Sequence, residues 1–211
     1  MRATRAGWMA VWTLLAGAAM AAEPDERSPI SEFRIPPKRV LWQSEAGVAH
    51  ADTLLARHAG QPVLEEPLPP CTLTAAADRP AGLLLDFGRE IQGHVELMTP
   101  MTPSKDPVSV RIRFGESAAE AMADLGERNA GNDHAVRDEV VTLPWLGTKR
   151  VGPSGFRFVR IDAVDPDRPA RLTQVRAVLG IRDLARPGSF RCSDERLERI
   201  WEVGADTVHL C

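Results

Sequence analysis

Asn132, Asp133 and His134 stand side by side in a polar stretch, with Arg137 and Asp138 close behind. A carboxylate, an imidazole and an amide in one loop can hydrogen-bond a sugar hydroxyl or orient one another for proton transfer. The same residue types also suit a loop that ties itself down through side chain to backbone bonds. Glu90, Glu96, Glu116 and Asp133 are the carboxylates expected near strand ends. Glycoside hydrolysis needs two such groups on opposite sides of the scissile bond, and no spacing among these four selects a pair. Trp42 and Trp145 are candidate platforms for a sugar ring, although a tryptophan beside a sheet serves as readily in core or interface packing. The chain has no tyrosine, which weakens a dedicated sugar-binding reading. Asp165 and Asp167 around Pro166 resemble a calcium loop and equally a solvated turn. His50, His58, His94 and His209 have no ligand spacing and there is no C-x-x-C pair, so no metal and no cofactor are expected.

These residues must be positioned by strands. GFRFVRID (Gly155 to Asp162) carries apolar side chains on both faces, with Phe156 and Phe158 expected on one side and Val159 and Ile161 nearer the other. That pattern predicts a strand buried between two layers. LLLDF (Leu83 to Phe87), VSVRIRF (Val108 to Phe114) and QVRAVLGI (Gln174 to Ile181) are further strands, rich in branched residues and bounded by Gly, Pro or Asp. LLLDFGREIQGHVELMT reads as two strands joined through Gly88 to Gly93, and Gly152 to Gly155 as the turn into the central strand. In VSVRIRF, Ser109, Arg111 and Arg113 face water or the rim. Ser117 and Glu120 form a capping box ahead of a short helix that Gly126 is placed to end. EVVTLP (Glu139 to Pro144) returns to the sheet. RVLWQ (Arg39 to Gln43) is read as the first strand, His50 to His58 has helical character, and Gln61 to Pro80, with five prolines, admits only an edge strand. The fold class is mainly β, a jelly-roll-like β-sandwich followed by one C-terminal helix. Its expected core includes Leu84, Val110, Ile112, Phe156, Phe158, Val159, Ile161, Val175 and Ala177.

Residues 1–22 read as a secretory signal: Arg2 and Arg5, an apolar run from Gly7 to Ala19, then Ala19-Met20-Ala21 as a small-x-small cleavage site. The apolar run is short of the roughly 20 residues a membrane span needs, so a periplasmic or secreted product with no membrane attachment after signal removal is expected. Loss of the two arginines takes the formal charge from −3 to −5, which gives no support to a nucleic-acid partner. Residues 23–38, with four prolines and mixed charge, read as a linker or an arm laid over the surface. Residues 39–189 are the sandwich. Cys71, Cys192 and Cys211 are an odd number at wide spacing: one disulfide is open to them, and Cys192, between Phe190 and Ser193, reads as a buried free thiol.

Ser193 is a good N-cap, with Asp194 and Glu195 in the first turn. Leu197, Ile200, Trp201, Gly204 and Val208 then recur at helical spacing, a stripe that needs a cover. The sequence stops at Cys211 inside this helix.

Taken in order, LDFGREIQG, RIRFGES, NDHAVRD, LPWLG, GFRFVRID, VRAVLGIRDL and SFRCSDERLERIWEVGADTVHL resemble the bacterial α-L-rhamnosidases, from about Pro37 onward and most firmly after Leu83. The resemblance implies an N-terminal β-sandwich leading into an α/α six-hairpin barrel, and inverting hydrolysis of terminal rhamnose on plant glycosides or polysaccharides. It places the catalytic acid and base in the barrel, of which residues 190–211 would be the beginning. None of the family's catalytic positions therefore maps onto this chain, and Asp133 and His134 are carried only as sugar contacts. On this reading the chain alone is non-catalytic and its partner is a missing barrel domain. The alternative is a stand-alone, non-catalytic carbohydrate-binding or interaction module.

Overall fold

A computed structural model describes residues 30–56, 60–62, 64, 68–102, 104, 106–127, 130–131, 133, 135–182 and 184–210. Its elements are β1 (Ile30–Ile35), β2 (Arg39–Gln43), β3 (Val48–Ala49), a 3-10 turn (Ala51–Leu55), β4 (Cys71–Leu73), β5 (Gly82–Thr99), β6 (Val108–Gly115), α1 (Ala118–Met122), β7 (Asp138–Leu143), β8 (Gly147–Ala163), β9 (Ala170–Leu172), β10 (Gln174–Arg182) and α2 (Glu195–Leu210). A seven-stranded antiparallel sheet runs β1-β10-β5-β8-β6-β7, with β2 paired to the first part of β5, and a three-stranded sheet runs β3-β4-β9. One apolar core lies between them. It joins Leu83, Leu85, Val95, Ile112, Phe156 and Ile161 of the large sheet to Cys71, Leu73, Ala170 and Leu172 of the small one. The protein is thus the expected mainly-β sandwich with a C-terminal helix, and all nine expected core residues are buried.

The glycines expected to make turns sit instead inside long strands. β5 runs 18 residues and β8 runs 17. The surplus at Gly88 is absorbed by a bulge: Asp86 opposes Phe158 and Ile91 opposes Phe156, so residues 87–90 stand against Arg157 alone. Gly88 takes φ +79° there, and its N–H donates to Asp86 Oδ1 at 2.7 Å. At Gly93 the backbone passes so close to β10 that a Cβ would strike the Val178 carbonyl. The bulge also resets the alternation of β8. Phe156 points into the main core with Val159 and Ile161, whereas Phe158 turns to the opposite face, beneath α1 with Leu84 and Ala121. The expectation that the two rings share a side is corrected accordingly.

Within the stretch read as a linker, Ile30–Ile35 forms an edge strand antiparallel to β10. An edge strand can be held by its backbone alone, which is why it shows no apolar period: Ile30 and Phe33 are exposed and only Ile35 packs on the core. RVLWQ is therefore the second strand. In the proline-rich region β4 is central in the small sheet, not an edge. Pro69 and Pro70 end just before it, so residues 71–73 keep every N–H for pairing.

α1 begins as expected, Ser117 Oγ accepting from Glu120 N at 3.2 Å, but the Glu120 carboxylate reaches back to Glu116 N at 2.9 Å. The helix ends at Met122, before Gly126. α2 is capped by Asp194 and not by Ser193: Asp194 Oδ1 accepts from Arg196 N at 2.9 Å, and Glu198 bonds Cys192 N at 2.9 Å. Cys192 is exposed, against expectation, because this cap holds it outside the sandwich. Cys71 is the buried free thiol, pushed up to about 12 by burial. Cys211 lies outside the described residues.

Candidate functional site

The outer face of the large sheet is laid with arginine–carboxylate pairs. Glu96 receives Arg34 at 3.2 Å, Arg150 at 2.9 Å and Arg176 at 2.6 Å. Burial alone would raise its pKa, but the Arg150 and Arg34 hydrogen bonds hold it below the ordinary carboxylate value. Asp86 is bound by Arg157 at 2.9 Å, by Gly88 N and by Arg39 at 2.8 Å, and is drawn down to about 2. Asp162 pairs with Arg113 at 2.8 Å and Arg160 at 2.9 Å. Arg113, expected to face water, is buried, because the outer face of β6 is roofed by α1 and by the following turn, whose Asp124 also binds it at 3.1 Å. Glu96 is thereby committed to structure and leaves the set of acid–base candidates.

Glu90 and Glu116 are brought together. The bulge of β5 carries Glu90, the end of β6 carries Glu116, and both converge over Gly155 of β8. Their Oε1 atoms lie 3.9 and 3.8 Å from the position a Gly155 Cβ would occupy. Arg137 closes the group, donating to the Gly155 carbonyl at 2.8 Å and reaching Glu116 at 3.4 Å and Glu120 at 3.3 Å. Burial, and then the neighbouring Glu116 charge, push Glu90 up to about 7. A carboxyl raised toward neutrality beside a second carboxyl group has the electronic make-up of an acid–base pair. Sequence spacing could not select this pair, because the residues that juxtapose it are the bulge and a side-chain-free Gly155.

Asp133 is exposed and makes no hydrogen bond or ion pair among the described residues; Asn132 and His134 lie outside them. Their neighbours are drawn elsewhere, Arg137 to the glutamates and Asp138 to Arg111 at 2.8 Å. Asp165 is used internally, its Oδ2 accepting from Ser109 N at 2.6 Å, while Asp167 N donates to Ala75 O at 2.7 Å. Among the described residues no group of three or more His, Cys, Asp or Glu could hold a metal ion. The Arg160 guanidinium covers the Trp42 ring at 5.1 Å, so that face is closed to a sugar. Trp145 stays partly exposed, with its indole N–H donated to Thr102 O at 2.8 Å.

These elements define a two-sheet antiparallel β-sandwich whose outer face is stapled by ion pairs. Neither a protein-family model nor a curated protein matches the sequence. Among solved structures the chain is similar to a rhamnosidase from Klebsiella oxytoca with rhamnose bound, at a TM-score of 0.58 and 16% identity over 88% of this chain. It is also similar to a GH78 family rhamnosidase of Bacillus sp. GL1, at a TM-score of 0.51 and 23% identity over 77% of this chain. The chain spans only 36% of the first of those proteins and 16% of the second. What is shared at this identity is the fold.

Proposed function

We propose that the chain is the N-terminal sandwich portion of an α-L-rhamnosidase-type glycoside hydrolase, exported from the cytoplasm and non-catalytic by itself. The observation that carries this reading is the asymmetry of the likeness, which takes in 88% of this chain and 36% of the Klebsiella rhamnosidase. The ordered sequence motifs support it independently. Within the sandwich, Glu116 and Glu120 are tied to Arg137, so the carboxylate pair at Gly155 reads as an ion-pair cluster that fixes the β5 bulge and α1. Catalysis then belongs to an α/α barrel; on the same reading the sandwich, which β1 carries back to Ile30, extends to residue 189 and residues 190–211 are the start of the barrel. The signal at residues 1–22 accounts for export; no helix among the described residues is long and apolar enough to cross a membrane. An assay of the purified chain on 4-nitrophenyl α-L-rhamnopyranoside should give no turnover, and co-expression with a rhamnosidase barrel should give soluble, active enzyme. Turnover by the chain alone that vanishes in Glu90→Gln or Glu116→Ala would overturn the proposal and place an active site at Gly155. The exposed Trp145 favours a second reading, carbohydrate binding by the sandwich itself.

A further inference from the structure

At the end of β6 opposite to the Glu90 cluster, the strand termini enclose a cleft of about 230 Å³. Its walls come from Thr99 at the end of β5, Asp106 and Pro107 before β6, Pro144 and Trp145 between β7 and β8, and Arg171 of β9. The eight residues of β6 put roughly 25 Å between this cleft and Glu116, so the two places are distinct.

We propose that this cleft binds one terminal pyranose ring of a glycan, stacked on Trp145 and read by Asp106 and Arg171. The proposal rests on the carbohydrate reading above and gives it a place. The Thr102 carbonyl holds the indole edge through Nε1, which fixes the ring while leaving it partly exposed, so a ligand meets a platform already ordered. Pro107 and Pro144 add further rigid apolar surface of the kind that packs on the C–H side of a sugar. The polar groups are unspent. Asp106 takes Ser104 Oγ on Oδ2 at 2.7 Å, and its Oδ1 has no partner among the described residues. The Arg171 guanidinium makes no hydrogen bond or ion pair among the described residues, although the arginines of the large sheet's outer face are committed to carboxylates. One acceptor and one forked donor across a flat ring match vicinal hydroxyls. Because their charges cancel, the cleft has no net preference for an anion, and its volume admits one ring, not an extended peptide.

The test is a titration of the ¹⁵N-labelled chain with methyl α-L-rhamnopyranoside, methyl α-D-mannopyranoside and methyl β-D-galactopyranoside, followed by amide and indole NMR shifts. With at least one of them, the Trp145 Nε1–H and residues 99–102, 106–108, 144–147 and 169–171 should shift together, with half-saturation on the order of 1 mM. Trp145→Ala and Arg171→Ala should each weaken this at least about tenfold, with spectral dispersion and melting temperature unchanged. No shift with any of the three sugars, or shifts that survive both substitutions, would overturn the proposal. The rhamnosidase reading stands or falls separately by co-expression with the barrel: active enzyme and a silent cleft sinks only the sugar site, whereas binding without complementation upholds the site and removes the rhamnosidase reading.

Discussion

Two carboxyl groups on β5, four residues apart, are driven in opposite directions by their surroundings, and this gives the protein a two-sided pH response. Asp86 is buried and receives Arg157, Gly88 N and Arg39, which draw it down to about 2. A depressed pKa contributes stability that is fully present above the unfolded value of 3.8 and lost as pH falls through about 2. Asp86→Asn should therefore cost about 2 kcal/mol at pH 7, and the two denaturation curves should converge below pH 2. Glu90 has the reverse sign. Burial and Glu116 raise it to about 7, so its share of stability is present below the unfolded value of 4.5 and lost as pH rises through about 7. Glu90→Gln should flatten the melting temperature between these limits and stabilise the protein at pH 8. A variant that follows the parent curve would show that Glu90 is solvated in the folded protein. At this scale candidates were legible without their relations. Glu90, Glu96 and Glu116 could all be named, but their fates depend on arginines 21 to 80 positions away, and nothing local records those pairings.

The strands show where periodicity is informative and where a bulge defeats it. β6 was legible because its alternation is unbroken over Val108–Gly115, and β10 because both of its faces are apolar. Inside β5 and β8 the glycines carry the same signature as turn glycines, and only the neighbouring strands decide that the chain continues. Two substitutions separate the consequences. Phe156 is fully buried with Phe87 at 5.8 Å and Phe114 at 5.0 Å between ring centroids, so Phe156→Ala should cost about 3–5 kcal/mol by chemical denaturation. Phe158 is 8% exposed and packs with Leu84 under α1, and Phe158→Ala should fall at or below the low end of that range while increasing amide exchange in residues 118–122. Equal losses, with exchange in α1 unchanged, would mean that the two rings share one core. Gly93→Ala belongs to the same scale. Its methyl would collide with the Val178 carbonyl at φ +153°, so it should separate β10 from β5 and lower the melting temperature more than a surface Gly→Ala change does.

Across the whole molecule the sandwich and α2 are held very differently. The two sheets share one core, whereas α2 buries none of its residues. Its attachments are at its last turns: His209 Nε2 donates to the Arg182 carbonyl at 2.6 Å, Arg186 donates to His209 Nδ1 at 3.0 Å and pairs with Asp206 at 2.6 Å, and Leu210 packs against the core. Ile200 and Val208, 66% and 77% exposed, leave the stripe that was legible in the sequence without a cover among the described residues, and Trp201 lies beside Gly188 of the connector and stays partly exposed. Such a helix is amphipathic by composition yet gains little from its own sandwich, since helix stability in proteins comes mostly from packing of the apolar face. Local opening should then precede global unfolding by a wide margin. The connector is the place to see it. Arg191 is exposed, followed by Cys192 and not by proline, whereas Arg186 is followed by Pro187. Brief trypsin treatment under native conditions should cut after Arg191 first and release the segment carrying α2. The remaining sandwich should keep its β-sheet circular dichroism and a melting temperature within a few degrees of the parent. Mass spectrometry of the earliest fragments decides the matter: first cuts after the arginines of β5 or β8, or loss of the sheet signal together with α2, would show that helix and sandwich fold as one cooperative unit.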